Sequence, residues 1–235
     1  MDNLNIKLKK LYEEYWPEYS FKMLEIVNSN DFVEKPTNPL LINIDEKRYE
    51  DSDIKVMIFG QETNNWDDDF SGSVEHCLTM YDDFFNYDKG MGYGGQFWFG
   101  FNKFISLLEE RFPNKKIDSV WNNTIKTGLS GRSKNYPPQY IYEIENKEFN
   151  IIRKEIEILQ PDIMLFLCGP NYDNEIQNSL EMVDFKSVGD KFTTRQLSKL
   201  TTNVCDNVFR TYHPGYLMRK GYLKFFEEII ENVKL

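Results

Sequence analysis

Polar residues that could carry out chemistry follow the predicted strands of this sequence. Glu62 carries a carboxylate, which can orient a water molecule or favour a neighbouring positive charge. Asn122 and Asn123 carry carboxamides, which donate and accept hydrogen bonds at once. His213 is one of only two histidines, and a neutral imidazole can donate a hydrogen bond to an oxygen on which negative charge develops. Together these side chains predict a polar site on a hydrophobic scaffold.

Strands that alternate with helices must position these side chains. Residues 54–59 form a short apolar and β-branched run that ends abruptly at Gly60, as a buried parallel strand does. The other predicted strands are residues 118–127, 163–167 and 204–211. The predicted helices are residues 97–112, 138–159, 171–180 and 220–233, and residues 183–202 are a hairpin or an irregular stretch. We expect an α/β fold, a three-layer α/β/α sandwich with a central four-stranded parallel sheet, whose site lies at the carboxyl ends of the strands.

The whole chain, residues 1–235, is expected to form a single domain. Residues 1–45 are a predicted helical extension packed on it, in which Pro17 separates two short helices within residues 4–27. Residues 61–95 are acidic, aromatic and rich in glycine, and a loop of this length is usually functional or mobile.

The net charge of −10, from 28 basic and 38 acidic residues, argues at first against a partner with a phosphate backbone. The charge is unevenly distributed, however. Residues 45–88 hold 13 acidic and 3 basic residues, a net charge of −10, whereas residues 111–134 hold 6 basic residues and 1 acidic residue, a net charge of +5. A basic face for nucleic acid is therefore compatible with the acidic average.

Composition also restricts location and cofactors. No apolar run approaches the ~18 residues of a membrane span, and the N-terminus lacks the basic and apolar regions of a signal peptide, so we expect a cytoplasmic protein. Cys77, Cys168 and Cys205 are widely separated and indicate neither a disulfide framework nor a zinc site. Residues 67–76 contain four acidic side chains and a histidine without a ligand-spacing pattern. We predict a solvated acidic loop there, no metal, no cofactor, and a monomer.

Four short motifs lie near the predicted strand ends. Residues 60–64 read Gly-Gln-Glu-Thr-Asn and resemble the water-activating loop of the uracil-DNA glycosylase superfamily, which reads Gly-Gln-Asp-Pro-Tyr in the best-known branch. Residues 211–219, Thr-Tyr-His-Pro-Gly-Tyr-Leu-Met-Arg, are similar to the Tyr-His-Pro-x-Tyr-Leu-Leu-Arg motif of the iron-sulfur branch. Residues 121–126, Trp-Asn-Asn-Thr-Ile-Lys, resemble the Thr-Asn-Val-x-Lys segment of that branch, and residues 160–169 resemble its element of lysine-proline, apolar strand and glycine. The motifs occur in the right order and cover residues 54–235, so the resemblance implies this fold.

The resemblance implies a DNA glycosylase-like hydrolase of DNA repair, which cleaves the N-glycosidic bond of uracil or a modified base with water as the nucleophile. Glu62 and His213 would be catalytic, because Glu62 aligns with the aspartate that orients water and a neutral His213 would donate to the oxygen of the leaving base. Asn123 would match the adjacent O4 and N3–H of an imide, with Asn122 as the register alternative. The predicted base-binding set is completed by Gln61 and Asn64.

The resemblance also implies contacts to DNA, either single-stranded or double-stranded. Leu217 would be the wedge that fills the gap left by the extruded nucleotide. The residues that would hold phosphates are Arg219, Lys220, Lys126 and Arg132. The sequence leaves four candidates for the aromatic side chain that stacks on the base, namely Trp66, Phe70, Phe85 and Phe97.

The chain departs from the family's pattern at several places. It lacks four cysteines for an iron-sulfur cluster, and Gln160 replaces the lysine of the third strand's motif. Glu62 replaces an aspartate, so its extra methylene displaces the carboxylate. Asn64 stands where the best-known branch has a tyrosine that blocks a 5-methyl group on the base. The resemblance thus leaves the identity of the accepted base open.

Each of these residues also has a purely structural alternative. Glu62 could be an exposed loop carboxylate, the two asparagines could be turn or capping residues, and Leu217 could be a staple into the core. Two further functions are open. One is a non-catalytic nucleic-acid or nucleobase-binding protein of the same fold, motivated by Glu62 and Asn64. The other is a protein-interaction module whose interface is the acidic segment and whose pocket is vestigial.

Overall fold

A computed structural model describes residues 3–131 and 136–235 and contains one mixed sheet of six strands. The strands are β1 (Ile54–Gly60), β2 (Ile117–Asn123), β3 (Ile163–Phe166), β4 (Asp184–Ser187), β5 (Leu197–Thr201) and β6 (Asn207–Thr211). Their order in the sheet is β2-β1-β3-β6-β5-β4. Strands β2, β1, β3 and β6 pair in parallel, whereas β5 pairs antiparallel with both β6 and β4. The chain therefore has an α/β fold.

The predicted central four-stranded parallel sheet is incomplete: β2, β1, β3 and β6 pair in parallel, and β4 and β5 extend the sheet to six strands as an antiparallel hairpin. This hairpin was one of the two alternatives for residues 183–202. Its outer strand, β4, is mostly exposed, so it lacks the continuous apolar run that marks a buried strand.

The register of the parallel strands brings their carboxyl ends to one level. Gly60 at the end of β1 lies opposite Asn123 at the end of β2. Phe59 lies opposite Phe166 of β3, which in turn lies opposite Arg210 of β6. Loops that leave these four strands therefore start at the same edge of the sheet, which is where α/β proteins build their sites.

The described residues also contain nine α-helices. They are α1 (Leu4–Asn28), α2 (Glu46–Glu50), α3 (Val74–Tyr81), α4 (Gln96–Arg111), α5 (Gln139–Glu148), α6 (Ile152–Leu159), α7 (Asp173–Leu180), α8 (Pro214–Lys220) and α9 (Leu223–Glu231). Helix α1 packs against α5 and α6, and helix α4 packs against α8 and α9. Among the described residues, no helix is both long enough and apolar enough to cross a membrane.

Two predictions about helices and one about a loop need correction. Pro17 lies inside a continuous α1, because buried residues before and after it, such as Trp16 and Tyr19, hold both halves against the same core. The predicted helix 138–159 is two helices, α5 and α6, which are interrupted between residues 148 and 152. Residues 61–95 are more ordered than a loop, since they contain α3 and a single π-helical turn at Asp82–Asn86.

Candidate active site

A pocket of ≈ 780 Å³ lies at the carboxyl ends of the parallel strands. Residues that follow three of these strands line it together. Glu62 comes from the loop after β1, Asn123 from the end of β2, and His213 from the loop after β6. Two further predicted residues, Gln61 and Asn64, also line it. The sheet thus brings five of the six predicted catalytic and base-binding residues into one cavity.

Asn123 presents an unused hydrogen-bond donor at this pocket. The side chain is 2% exposed, and its Oδ1 atom accepts a hydrogen bond from the indole Nε1 of Trp121 at 3.2 Å. Its Nδ2 atom is buried and has no hydrogen-bond partner among the described residues. Because buried polar groups are almost always paired, this nitrogen marks a position where a ligand's acceptor would lie.

Gly60 has no side chain, and Asn123 and the ring of Phe97 occupy the space that a side chain would need. A Cβ atom at Gly60 would lie 2.5 Å from Asn123 Oδ1 and 3.2 Å from Cε2 of Phe97. Both distances are tighter than van der Waals contact allows, so any larger residue would displace the carboxamide or the ring. The glycine at the end of β1 is therefore part of the architecture of the pocket.

His213 is held as a neutral hydrogen-bond donor. It is the N-cap residue of α8, and its Nδ1 atom accepts a hydrogen bond from the backbone N–H of Gly215 at 3.1 Å. Burial lowers the pKa of His213. A neutral imidazole whose Nδ1 is an acceptor carries its proton on Nε2, so this atom can donate. The ring of Phe97 lies nearly parallel to the imidazole, with 6.2 Å between centroids and 19° between planes.

Glu62 accepts a hydrogen bond from the hydroxyl of Tyr172, which follows β3. Burial raises the pKa of the Glu62 carboxyl to about 7, with a smaller contribution from the negative charge of Glu175, while the Tyr172 hydrogen bond opposes the rise. Carboxyl groups with such a pKa exchange protons near neutral pH, which is the range that a general base needs. The Glu62 side chain is half-buried and hydrogen-bonded, so it is not the exposed loop carboxylate of the structural alternative.

Gln61 and Asn64 occupy different positions at the rim. The Nε2 atom of Gln61 donates to the carbonyl of Cys168 at 3.0 Å, so the side chain is fixed between the ends of β1 and β3. Asn64 is exposed at the mouth. Gln61 and His213 also border a second concavity, which contains Arg219 and Gln96.

Asn122 and Lys126 do not belong to the pocket. Successive residues of a strand point to opposite faces, and Asn122 points away from Asn123 toward α6, where its Nδ2 donates to Glu155 at 3.0 Å. The ammonium of Lys126 lies 2.6 Å from Glu155 and is buried. Asn122 as a base reader and Lys126 as a phosphate ligand are therefore wrong, because both are fixed in a buried polar network on the other face.

The predicted DNA contacts are only partly accessible. Leu217 is fully buried on the inner side of α8 and cannot act as a wedge in this conformation, so its structural alternative as a core residue holds. Arg219 and Lys220, in contrast, are exposed near the ring of Tyr216. Arg132 lies outside the described residues.

Two of the four candidate aromatics line the pocket. These are Trp66 and Phe97. Phe70 and Phe85 are buried in the core, at 2% and 1% exposure, and do not line it. Phe97 lies beside the functional groups, because its ring is next to Gly60 and nearly parallel to the imidazole of His213.

The charged side chains that line the pocket are all acidic. Besides Glu62 they are Asp67 and Asp83, both exposed, and no lysine or arginine of the described residues lines this cavity. Asp67 also contacts the ring of His76. Within residues 3–131 and 136–235, no group of three His, Cys, Asp or Glu side chains is placed to hold a metal ion.

Tyr172 is a site residue that the sequence analysis missed. It lies three residues after Gly169, which ends the motif of the third predicted strand, so its position just beyond a strand end is a local signal for it. Its partner Glu62 is 110 positions away in the sequence, so the contact itself has no local signal.

Comparison of the chain with models of known protein families and with curated proteins found no match.

Proposed function

We propose that this chain is a DNA glycosylase-like hydrolase with a fold of the uracil-DNA glycosylase type, which cleaves the N-glycosidic bond of uracil or a modified base in DNA. One observation carries the proposal. The unpaired Nδ2 donor of Asn123, the neutral donor His213 and the carboxyl group of Glu62 line the same pocket.

Base recognition would depend on Asn123. Its free Nδ2 can donate to a carbonyl oxygen of the base, and its Oδ1, which has a second lone pair beside the Trp121 contact, can accept the neighbouring imide N–H. The ring of Phe97, which lines the pocket together with Asn123, would stack on the flat base. This pairing discriminates against bases that lack adjacent acceptor and donor groups.

Departure of the base would depend on His213. Cleavage of the glycosidic bond places negative charge on the base, and a fixed N–H donor at the receiving oxygen lowers the barrier. The hydrogen bond from Gly215 to Nδ1 fixes the tautomer with its proton on Nε2, and burial keeps the ring neutral. His213 would thus stabilise the leaving group without transferring a proton.

Attack by water would depend on Glu62. Its carboxylate form can accept a hydrogen bond from water and stabilise the cationic sugar, whereas its protonated form can do neither. Because the pKa of Glu62 is about 7, the rate should rise as pH increases through this value. Tyr172 would hold the carboxylate in place.

The experiment uses purified protein and oligonucleotides, single-stranded and double-stranded, that carry uracil or a modified pyrimidine. We expect release of the free base and an alkali-labile site. Glu62→Gln should lower the rate by about 10²–10⁴-fold, the usual contribution of a general base. The matched control is Glu14→Gln, which removes an exposed carboxylate on α1 and should leave the rate unchanged. Absence of base release from every substrate would refute the hydrolase.

A nucleobase-binding protein without catalysis is the second candidate, and the contact between Glu62 and Tyr172 favours it. The Tyr172 hydroxyl already donates to Oε2 of Glu62, so this oxygen is engaged by the protein instead of a water molecule. In that case deoxyuridine should bind without turnover at any pH, and His213→Ala should weaken binding.

A further inference from the structure

The proposed base-recognition residues use only one side of the pocket. The other side is an aromatic annex, which consists of Trp66, Phe84, Tyr93, Trp98 and Trp121. Its rings contact one another, with centroids 5.2 Å apart for Trp66 and Phe84, 5.3 Å for Trp66 and Trp121, and 4.9 Å for Trp98 and Trp121. The annex is continuous with the base-recognition side, because Trp121 donates to Asn123.

The pocket is larger than a pyrimidine needs. Its ≈ 780 Å³ lies within the ~300–1,000 Å³ that typically encloses a drug-sized ligand, whereas a pyrimidine is a single small ring. A base held by Asn123 and Phe97 would leave the annex unfilled. A substituent on the base is therefore the group that the annex has room for.

The charge of the annex selects the chemistry of that substituent. Asp67 and Asp83 line the same cavity, and no lysine or arginine of the described residues lines it. Asp67 contacts the ring of His76, whereas Asp83 has no such contact among the described residues. Asp83 has neither an ion-pair nor a hydrogen-bond partner among the described side chains, so its charge is available to a ligand. Aromatic faces beside carboxylates attract organic cations, because the ring faces carry negative partial charge.

Two features at the mouth fit such a substituent. Asn64 is exposed there, so this side of the pocket is open. The Nε1 atom of Trp66 is buried without a hydrogen-bond partner, and an oxygen of the same ligand would satisfy it.

We propose that the aromatic annex binds a positively charged alkylamine group, carried as a substituent on the base that Asn123 recognises. The link to the base depends on the proposed function, whereas binding of the alkylamine to the annex does not.

The experiment compares three nucleosides: deoxyuridine, 5-aminoallyl-deoxyuridine, and its neutral analogue with a terminal hydroxyl. Binding is followed by tryptophan fluorescence, since three of the chain's four tryptophans line the pocket. We expect the amine to bind about tenfold more tightly than the hydroxyl analogue. Asp83→Asn should remove most of this preference. Asp69→Asn, which removes an exposed charge of the same segment outside the pocket, should preserve it.

Each outcome decides the proposal. Equal affinity for all three nucleosides, tighter binding of the hydroxyl analogue, or an amine preference that survives Asp83→Asn would overturn it. An amine preference that depends on Asp83, together with no base release from any of the DNA substrates, would support the annex and refute the hydrolase. Tetramethylammonium is the probe without a base: if it quenches the fluorescence in the wild-type protein and not in Asp83→Asn, the annex binds cations independently of the base.

Discussion

Replacing Glu62 by glutamine should stabilise the protein at alkaline pH while it slows base release. Between pH 4.5 and 7 the folded Glu62 retains a proton that an unfolded glutamate has lost, because burial raises its pKa from 4.5 to about 7. The folded state therefore binds more protons than the unfolded state in this window. Its free energy of unfolding must fall as pH rises through it.

The size of the effect follows from the same values. At ~1.4 kcal/mol per pKa unit, the difference between 4.5 and 7 amounts to at most ~3.5 kcal/mol, which is reached in full above pH 7. Glutamine is close in shape to the protonated carboxyl group and carries no charge at any pH. We therefore expect Glu62→Gln to gain ~1–3 kcal/mol over the wild type at pH 8, and almost nothing at pH 4.5.

Urea denaturation at pH 4.5 and pH 8, followed by circular dichroism, measures the two differences. Comparing variant with wild type at each pH removes the contribution of Glu145, whose pKa burial also raises to about 7. The control Glu14→Gln alters an exposed carboxylate and should change the free energy of unfolding by less than ~0.5 kcal/mol at either pH. If Glu62→Gln is equally or less stable than the wild type at pH 8, the argument from burial is wrong.

Three further substitutions test the rest of the site. Gly60→Ala should weaken deoxyuridine binding at least ~10-fold, because its Cβ would lie 2.5 Å from Asn123 Oδ1; unchanged affinity in a binding titration would show that the carboxamide does not read the base. Lys126→Met should lower the free energy of unfolding by ~3–5 kcal/mol, since Glu155 would be buried without its partner, and should leave the salt dependence of DNA binding unaltered. Tyr172→Phe should move the rise in rate to higher pH, because it removes a hydrogen bond that lowers the pKa of Glu62 in the wild type. A midpoint that stays the same or falls would contradict this.

The strand ends were predictable because their signal is local. The apolar run of β1 stops at Gly60 and that of β3 stops near Gly169, and parallel strands in one sheet bring such ends to the same edge. The pairing of Gly60 with Asn123 was not predictable in this way. It depends on register, which fixes whether Asn122 or Asn123 faces the pocket, and a shift of one residue reverses the answer.

The errors arise from contacts between residues that are distant in sequence. Lys126 resembled a surface cation because its partner Glu155 is supplied by a helix 29 positions later. Leu217 and Met218 are equally apolar neighbours, and only the docking of α8 on α4 decides that Leu217 is buried while Met218 is 41% exposed. This docking is close, since a Cβ atom at Gly100 would lie 2.5 Å from the ring of Pro214.

The distribution of charge around the pocket would determine the orientation of a charged substrate. Asp67 and Asp83 line the annex side, whereas Arg219 borders the concavity on the side of Gln61 and His213. A phosphate would be repelled on the first side and attracted on the second, so a nucleotide should bind with its backbone toward Arg219 and its base toward Asn123. The acidic average of the chain is thus no argument against a nucleic-acid substrate. The carboxylates of Asp67 and Asp83 would restrict the direction from which the base enters. The annex would then accept a substituent on the far edge of the base.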